Sequence, residues 1–93
     1  MAKLIWSDQA ISDLEGIGDF IGQDSEKFAK ITVKKLFERA LILKTFPTMG
    51  RIVPEKNSSK IRELIERNYR IIYEIISELE IHILTIHHSR RDL

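Results

Sequence analysis

The sequence contains no cysteine, one tryptophan and two prolines, and none of its apolar runs is long enough to cross a membrane. The absence of cysteine excludes a disulfide framework and any thiolate metal site, which is compatible with a reducing cytoplasm. The N-terminal stretch MAKLIWSDQA lacks the long apolar region of a signal peptide. We therefore expect a cytoplasmic protein without a membrane segment.

Ninety-three residues, of which 43% are hydrophobic and 31% charged, are enough for one small domain, which we place at residues 1–93. The formal net charge of +1 argues against a protein that coats nucleic acid in general. Arginines nevertheless concentrate in the second half, and their guanidinium groups favour bidentate contact with phosphate or carboxylate. These arginines are Arg51, Arg62, Arg67, Arg70, Arg90 and Arg91. A local arginine-rich site is therefore expected.

The first half of the chain predicts one strand followed by two helices. KLIW is a short strand, and Ser7 after it is a suitable N-cap for a helix whose apolar residues recur at helical spacing. GQDSEK interrupts this helix and offers Asp24 or Ser25 as the cap of a second one. The second helix has an apolar stripe opposite a row of lysines and ends at FPTMG, where Pro47 and Gly50 disfavour helix. The short link predicts an antiparallel helical hairpin.

The second half of the chain has the pattern of strands. IRELI, YRIIYEII and EIHILTIHH are rich in β-branched and aromatic residues and are separated by short polar turns, which predicts an antiparallel meander. The preceding stretch GRIVPEKNSSK is interpreted as a polar loop. The complete order is β-α-α-β-β-β, an α+β fold in which the hairpin packs on one face of a small, mainly antiparallel sheet. Because the last two strands are apolar on both faces, the second face is also expected to be partly covered.

Four strings in this order and at these spacings resemble the RelE/ParE family of toxins from bacterial type II toxin–antitoxin modules. They are AISDLEGIGDFI in the first helix, FPTMGRIVPE after the second, IRELIERNYRIIYEI across two strands, and ILTIHHSRRDL at the end. The resemblance covers nearly the whole chain. It implies a RelE/ParE-like fold and the function of a growth-arresting toxin, of the kind found in plasmid stabilisation modules.

The resemblance implies one of two activities. RelE-like members enter the ribosomal A site and cleave messenger RNA, whereas ParE-like members poison DNA gyrase by binding and have no known nuclease chemistry. Metal-free RNA cleavage needs a base for the ribose 2′-OH, an acid for the leaving oxygen and cations for the phosphorane. By resemblance, Arg62 and Arg70 would contact phosphate, and His87 or His88 would serve as acid or base.

Three departures from the nuclease pattern favour the ParE branch. The C-terminal tyrosine of typical RelE toxins does not occur before Leu93, and the strand KIRELI carries fewer basic residues than the nucleases do. The strings MGRIVPE and HHSRRDL are similar to ParE sequences. We therefore expect inhibition of DNA gyrase by binding, with Arg90, Arg91 and Arg70 as target-binding residues; the alternative is a ribosome-dependent endoribonuclease.

Structural roles compete with these functional ones. Arg70 can pair with Glu63 or Glu74 across the sheet instead of binding phosphate. Strand alternation puts His87 and His88 on opposite faces, so that only one of them is expected in any given site. Two adjacent histidines do not form a metal site without further ligands. We therefore expect neither a metal nor a cofactor.

The expected partners follow from the resemblance. A cognate antitoxin would neutralise the toxin by wrapping it with a helix and an extended segment, and would alone contact operator DNA. The target is gyrase, or the ribosome and messenger RNA in the alternative. Since so small a domain has too few helices to cover both sheet faces, the free toxin is expected to form a homodimer or to be less stable.

Overall fold

The computed structural model describes residues 1–89 as two helices packed against a mixed five-stranded sheet. The elements are β1 (Lys3–Trp6), α1 (Asp8–Gly22), α2 (Glu26–Leu41), a 3-10 turn (Ile42–Lys44), β2 (Arg51–Ile52), β3 (Ile61–Glu66), β4 (Tyr69–Ser77) and β5 (Glu80–His88). The strand order is β1-β5-β4-β3-β2, with β1 parallel to β5 and the other pairs antiparallel. The predicted α+β fold is confirmed. Within these residues no helix is long and apolar enough to span a membrane.

Both helices begin at serine caps. Ser7 accepts a hydrogen bond from the Ala10 N–H at 3.0 Å, and its hydroxyl also donates to the Leu84 carbonyl at 2.8 Å. Ser25 accepts from the Phe28 N–H at 3.1 Å, which selects Ser25 over Asp24 as the second cap. Ser7 therefore caps α1 and links its N-terminus to β5 by a hydrogen bond.

The core lies between the helical hairpin and one face of the sheet. Its buried members from the helices and the 3-10 turn are Ala10, Leu36, Ala40 and Leu43, and those from the sheet are Leu64, Ile71, Tyr73, Ile81, Ile83 and Ile86. All ten are at most 4% exposed, which is the burial that the apolar stripes predict. The opposite face, called the open face below, carries no helix within residues 1–89.

A short strand, β2, lies where the sequence predicts only a polar loop. Arg51 pairs with Glu63 and Ile52 with Arg62, and Val53 beyond them is 1% exposed. Two residues are too few to produce a detectable alternation, which is why the pattern misses this strand. β2 nevertheless places Arg51 beside Glu63.

β5 contains an extra residue that resets its alternation. Tyr73 on β4 is opposite Ile83 whereas Ile72 is opposite Thr85, so that Leu84 has no partner in the ladder. In a regular strand, residues three apart point to opposite faces. Because of the bulge, Ile83 and Ile86 both face the core. The bulge also places His87 on the open face.

Gly50 is required by close packing rather than by a turn with positive φ. A Cβ at this position would lie 2.6 Å from the Tyr73 hydroxyl and 2.6 Å from the Glu63 carbonyl oxygen. The Tyr73 hydroxyl accepts from the Gly50 N–H at 2.9 Å and donates to the Pro47 carbonyl at 2.7 Å. This buried tyrosine therefore fixes the FPTMG segment against the sheet.

Candidate functional site

A cluster of charged side chains lies on the open face where β2, β3 and β4 meet. Arg51 is directly opposite Glu63, and Arg70 lies diagonally across on β4. The Nε of Arg70 donates to Oε1 of Glu63 at 2.7 Å, and the Nε of Arg51 donates to Oε2. Arg70 also pairs with Glu55 through Nη2 at 3.3 Å. Among the described residues, the network therefore contains two guanidinium groups and two carboxylates.

Glu63 is the centre of the cluster because its side chain is fully buried. The side chains of its partners are more accessible, at 69% for Arg51 and 20% for Arg70. Burial by itself would raise the pKa of Glu63, but the hydrogen bonds from Arg70 and Arg51, together with their charges, outweigh it and lower the pKa. Glu63 is therefore ionised at neutral pH and holds both arginines.

Arg62 lies next to Glu63 in the sequence and points to the other face of β3. Its Nε donates to the Ser59 carbonyl at 3.1 Å, and its Nη1 donates to the carbonyls of Gly50 and Thr48 at 3.0 and 3.3 Å. The guanidinium group fastens the loops on either side of β2. The structure therefore does not bring Arg62 and Arg70 together as one phosphate clamp.

The two histidines of β5 lie on different faces of the strand. His87 is the cross-strand neighbour of Arg70 on the open face, and the rings of His88 and Tyr69 form a T-shaped pair with centroids 5.2 Å apart. Both nevertheless line a small pocket of about 320 Å³ beside α1, which also includes Asp13. The expectation that only one histidine reaches a given site is wrong for this pocket. The pocket lies at the edge of β5 beyond the end of β1, where residues from both faces of the strand can line it.

Asp13 of α1 lies against the part of the β5 edge that β1 leaves unpaired. Its Oδ2 accepts from the Ile86 N–H at 2.9 Å and from the Thr85 hydroxyl. Burial raises the pKa of Asp13, while the bonds from Thr85 and Ile86 and the nearby His87 lower it, with a net decrease. The carboxylate is thus ionised and serves to satisfy the strand edge.

Sequence reasoning anticipated part of this arrangement. The pairing of Arg70 with Glu63 is confirmed. Arg51 was counted among the arginines of the second half but received no individual role, because it lies in the stretch interpreted as a loop. Asp13 was missed because it looks like any polar helix residue. Only the pairing of β2 with β3 and the bulge in β5 place these two side chains.

An open groove of about 1050 Å³ runs between α1 and α2 on the outside of the hairpin. Its lining includes small and apolar residues, among them Gly18, Gly22, Ala29 and Val33, together with charged residues of both helices. The glycines of α1 let the two helices approach closely: a Cβ on Gly18 would lie 3.2 Å from Cγ2 of Val33. This surface, the hairpin groove, is accessible and mainly apolar, with charged residues among its lining.

Two further predictions concern a metal site and the C-terminal arginines. Among residues 1–89, no three His, Asp or Glu side chains converge to hold a metal ion. Arg90 and Arg91, the predicted target-binding residues, lie outside the described residues.

Comparison with known proteins gives concordant results for almost the full chain. Residues 4–93 match the family model for the ParE toxin of the type II toxin–antitoxin system parDE. Toxin RelE2 of Caulobacter vibrioides is 31% identical over 91 residues, which cover 98% of this chain and 99% of that protein. A solved structure of the chromosomal ParDE system from P. aeruginosa superposes with a TM-score of 0.77 and 25% identity, covering 95% of this chain and 96% of the other.

Proposed function

Since the chain belongs to the family of ParE toxins of type II toxin–antitoxin systems, we propose that it arrests growth by binding DNA gyrase and inhibiting it. It is the toxin component of its module, and the family implies a cognate antitoxin as partner. The inhibition needs no covalent chemistry by the toxin itself. Its place of action is the cytoplasm, where gyrase is found.

The observation that carries this proposal is that the arginines of the cluster are already hydrogen-bonded within the protein. A ribonuclease of the RelE type needs free cations near the scissile phosphate. Here the buried carboxylate of Glu63 holds Arg51 and Arg70, and backbone carbonyls take up Arg62. The nuclease alternative, with Arg62, Arg70, His87 and His88 as catalytic residues, is therefore not favoured. His87 is the cross-strand neighbour of Arg70 on the open face.

The proposed contact with gyrase involves the C-terminal arginines. Arg90 and Arg91 follow β5 in the sequence, and planar guanidinium groups are well suited to carboxylates on a protein target. The side chain of Arg70 is 20% exposed and lies on the open face, where it is paired with Glu63. We propose Arg90 and Arg91 as the principal target-binding residues and Arg70 as a secondary one.

The proposed antitoxin contact is the apolar part of the open face. Ile65 is 46% and Ile76 39% exposed, while Ile72 between them in the sheet is 9% exposed. A strip of isoleucines beside paired charges suits an extended segment of another chain, which would cover it and block Arg70. In this scheme operator DNA is bound by the antitoxin alone.

Pulse labelling after induction of the toxin without antitoxin separates the possible activities. A gyrase inhibitor is expected to stop incorporation of labelled thymidine while incorporation of labelled amino acids continues. Early loss of amino-acid incorporation would instead favour the nuclease. Unimpaired growth with normal amounts of folded protein would indicate an inactive toxin that only binds its antitoxin.

A matched pair of variants tests the arginine assignment in the same experiment. Replacing Arg90 and Arg91 with alanine is expected to restore DNA synthesis. Replacing Lys56 and Lys60, two exposed cations of the loop between β2 and β3, removes the same charge elsewhere and is expected to leave the toxin active. Equal effects of both pairs would count against a specific role for the C-terminal arginines.

A further inference from the structure

We infer that Arg67, in the turn between β3 and β4, is a further target-binding residue whose guanidinium group meets a carboxylate on the target protein. This contact rests on the proposed function, since it enlarges the surface that Arg90 and Arg91 would present to gyrase. Three features of the turn carry it: the backbone conformation of Arg67, the weak pairing of its side chain, and the hydrogen bond that joins the turn to the end of β5.

The backbone of Arg67 has a conformation that suits glycine better than arginine. Glu66 and Tyr69 pair with each other, so that only Arg67 and Asn68 form the turn. Arg67 has a φ of 56°, and among residues 1–89 no other non-glycine residue has a positive φ. A residue with a Cβ is strained there, whereas glycine and, to a lesser degree, asparagine adopt this region readily. Arginine at this position therefore makes the turn less stable than it could be.

The contact of the Arg67 side chain with its neighbour does not offset this strain. The Nε of Arg67 lies 3.9 Å from Oε2 of Glu66, and the Arg67 side chain is 46% exposed. Ion pairs between such accessible groups add little to stability, and Glu66 already has Arg39 at 3.8 Å. Backbone strain of this kind is concentrated at functional sites. The exposed guanidinium group therefore points to a contact outside the chain.

The turn lies beside the point where β5 leads into the C-terminal arginines. The Ser89 N–H donates to the Asn68 carbonyl at 2.6 Å, just beyond the last pair of the ladder, Tyr69 with His88. Arg90 and Arg91 follow Ser89 directly in the sequence. Arg67 is therefore at the end of the sheet from which the proposed target-binding residues continue.

A protein carboxylate suits this position better than the phosphates of nucleic acid. Arg39, Glu66 and Arg67 together leave one positive charge in excess at this corner. Binding to a phosphate backbone depends on the neutralisation of several phosphates, whereas one guanidinium group can meet one carboxylate through two parallel hydrogen bonds. Arginine is also among the side chains that dominate binding energy at protein–protein interfaces.

Substitutions at Arg67 should move stability and affinity in opposite directions. Arg67→Gly and Arg67→Asn remove the charge and relax the turn, so that each is expected to raise the melting temperature, by roughly 4 °C for glycine. Both are expected to bind purified gyrase about tenfold more weakly in surface plasmon resonance without DNA. Arg67→Lys keeps the charge and the strain, and should retain part of the affinity without a gain in stability.

The matched control is Arg39→Gln, which removes the other arginine beside Glu66 and is expected to bind gyrase like the wild type. A stabilised Arg67→Gly that binds weakly supports the inference, because loss of a purely structural arginine would lower stability and leave affinity unchanged. The inference is wrong if Arg67→Gly melts below the wild type, binds gyrase as tightly, or loses no more affinity than Arg39→Gln. It is also wrong if the loss of affinity requires DNA, since Arg67 would then contact phosphate.

The same binding measurement separates this inference from the proposed function. Wild-type toxin that binds gyrase while Arg67→Gly binds equally well overturns only the role of Arg67. Wild-type toxin that does not bind gyrase overturns the proposed function and the contact of Arg67 together.

Discussion

Replacing Glu63 with glutamine tests whether its buried charge holds the arginine cluster together. Glutamine keeps the shape of the side chain but loses the charge and one acceptor. Charge-assisted hydrogen bonds contribute about 1.5–3 kcal/mol each. Because Arg51 is 69% exposed and can regain water, its share falls to about 0–1 kcal/mol, whereas Arg70 at 20% exposure retains most of its bond. The free energy of unfolding should therefore fall by about 2 kcal/mol, which lowers the melting temperature by roughly 8–16 °C.

The control for this variant is Glu55→Gln in the same cluster. The Glu55 side chain is 62% exposed, so that loss of its pair with Arg70 should cost less than about 0.5 kcal/mol. Thermal unfolding followed by circular dichroism measures both variants. If Glu63→Gln is no more destabilising than Glu55→Gln, the buried carboxylate does not organise the cluster.

The pH dependence gives an independent check on the same residue. The pKa of Glu63 is lower in the folded protein than its ordinary value of 4.5. Folding is therefore favoured by the ionised form, and this stabilisation is complete above the unfolded pKa and is lost as the pH falls through the folded pKa. The difference in melting temperature between wild type and Glu63→Gln should thus shrink as the solution is acidified below the ordinary pKa. A constant difference would contradict the assigned ionisation.

Four other variants test the fold and the choice of activity. Tyr73→Phe removes two buried hydrogen bonds of the hydroxyl and should cost about 1–3 kcal/mol in urea unfolding. Ser7→Ala should cost more than the typical 1 kcal/mol of a lost cap and more than Ser25→Ala, since only Ser7 also bonds to β5; equal losses would count against that bond. Alanine at both His87 and His88 should leave toxicity intact in growth assays, whereas loss of toxicity in a folded variant would favour a nuclease.

The sequence was sufficient to predict the helices and long strands because each repeats a periodic signal many times. α2 combines an apolar stripe with a serine cap, and β3, β4 and β5 are separated by evident turns. Even the pairing of Arg70 with Glu63 could be proposed, since the two residues lie on adjacent strands of a predicted meander. Local patterns of this kind do not depend on the rest of the fold.

The features that patterns missed depend on single residues or on tertiary contacts. β2 has only two residues, and the bulge at Leu84 leaves the apolar run IHILTI looking like an ordinary strand. The role of Asp13 becomes visible only when α1 lies against the unpaired edge of β5.

The gyrase supercoiling assay with the purified toxin is the most direct test of the account. Relaxed plasmid, gyrase and ATP are incubated with increasing amounts of the wild-type chain, and the supercoiled product is measured on agarose gels. The account predicts that supercoiling falls as toxin is added and that it persists when Arg90 and Arg91 are replaced by alanine. Undiminished supercoiling by gyrase, together with cleavage of ribosome-bound messenger RNA by the same preparation, would contradict it.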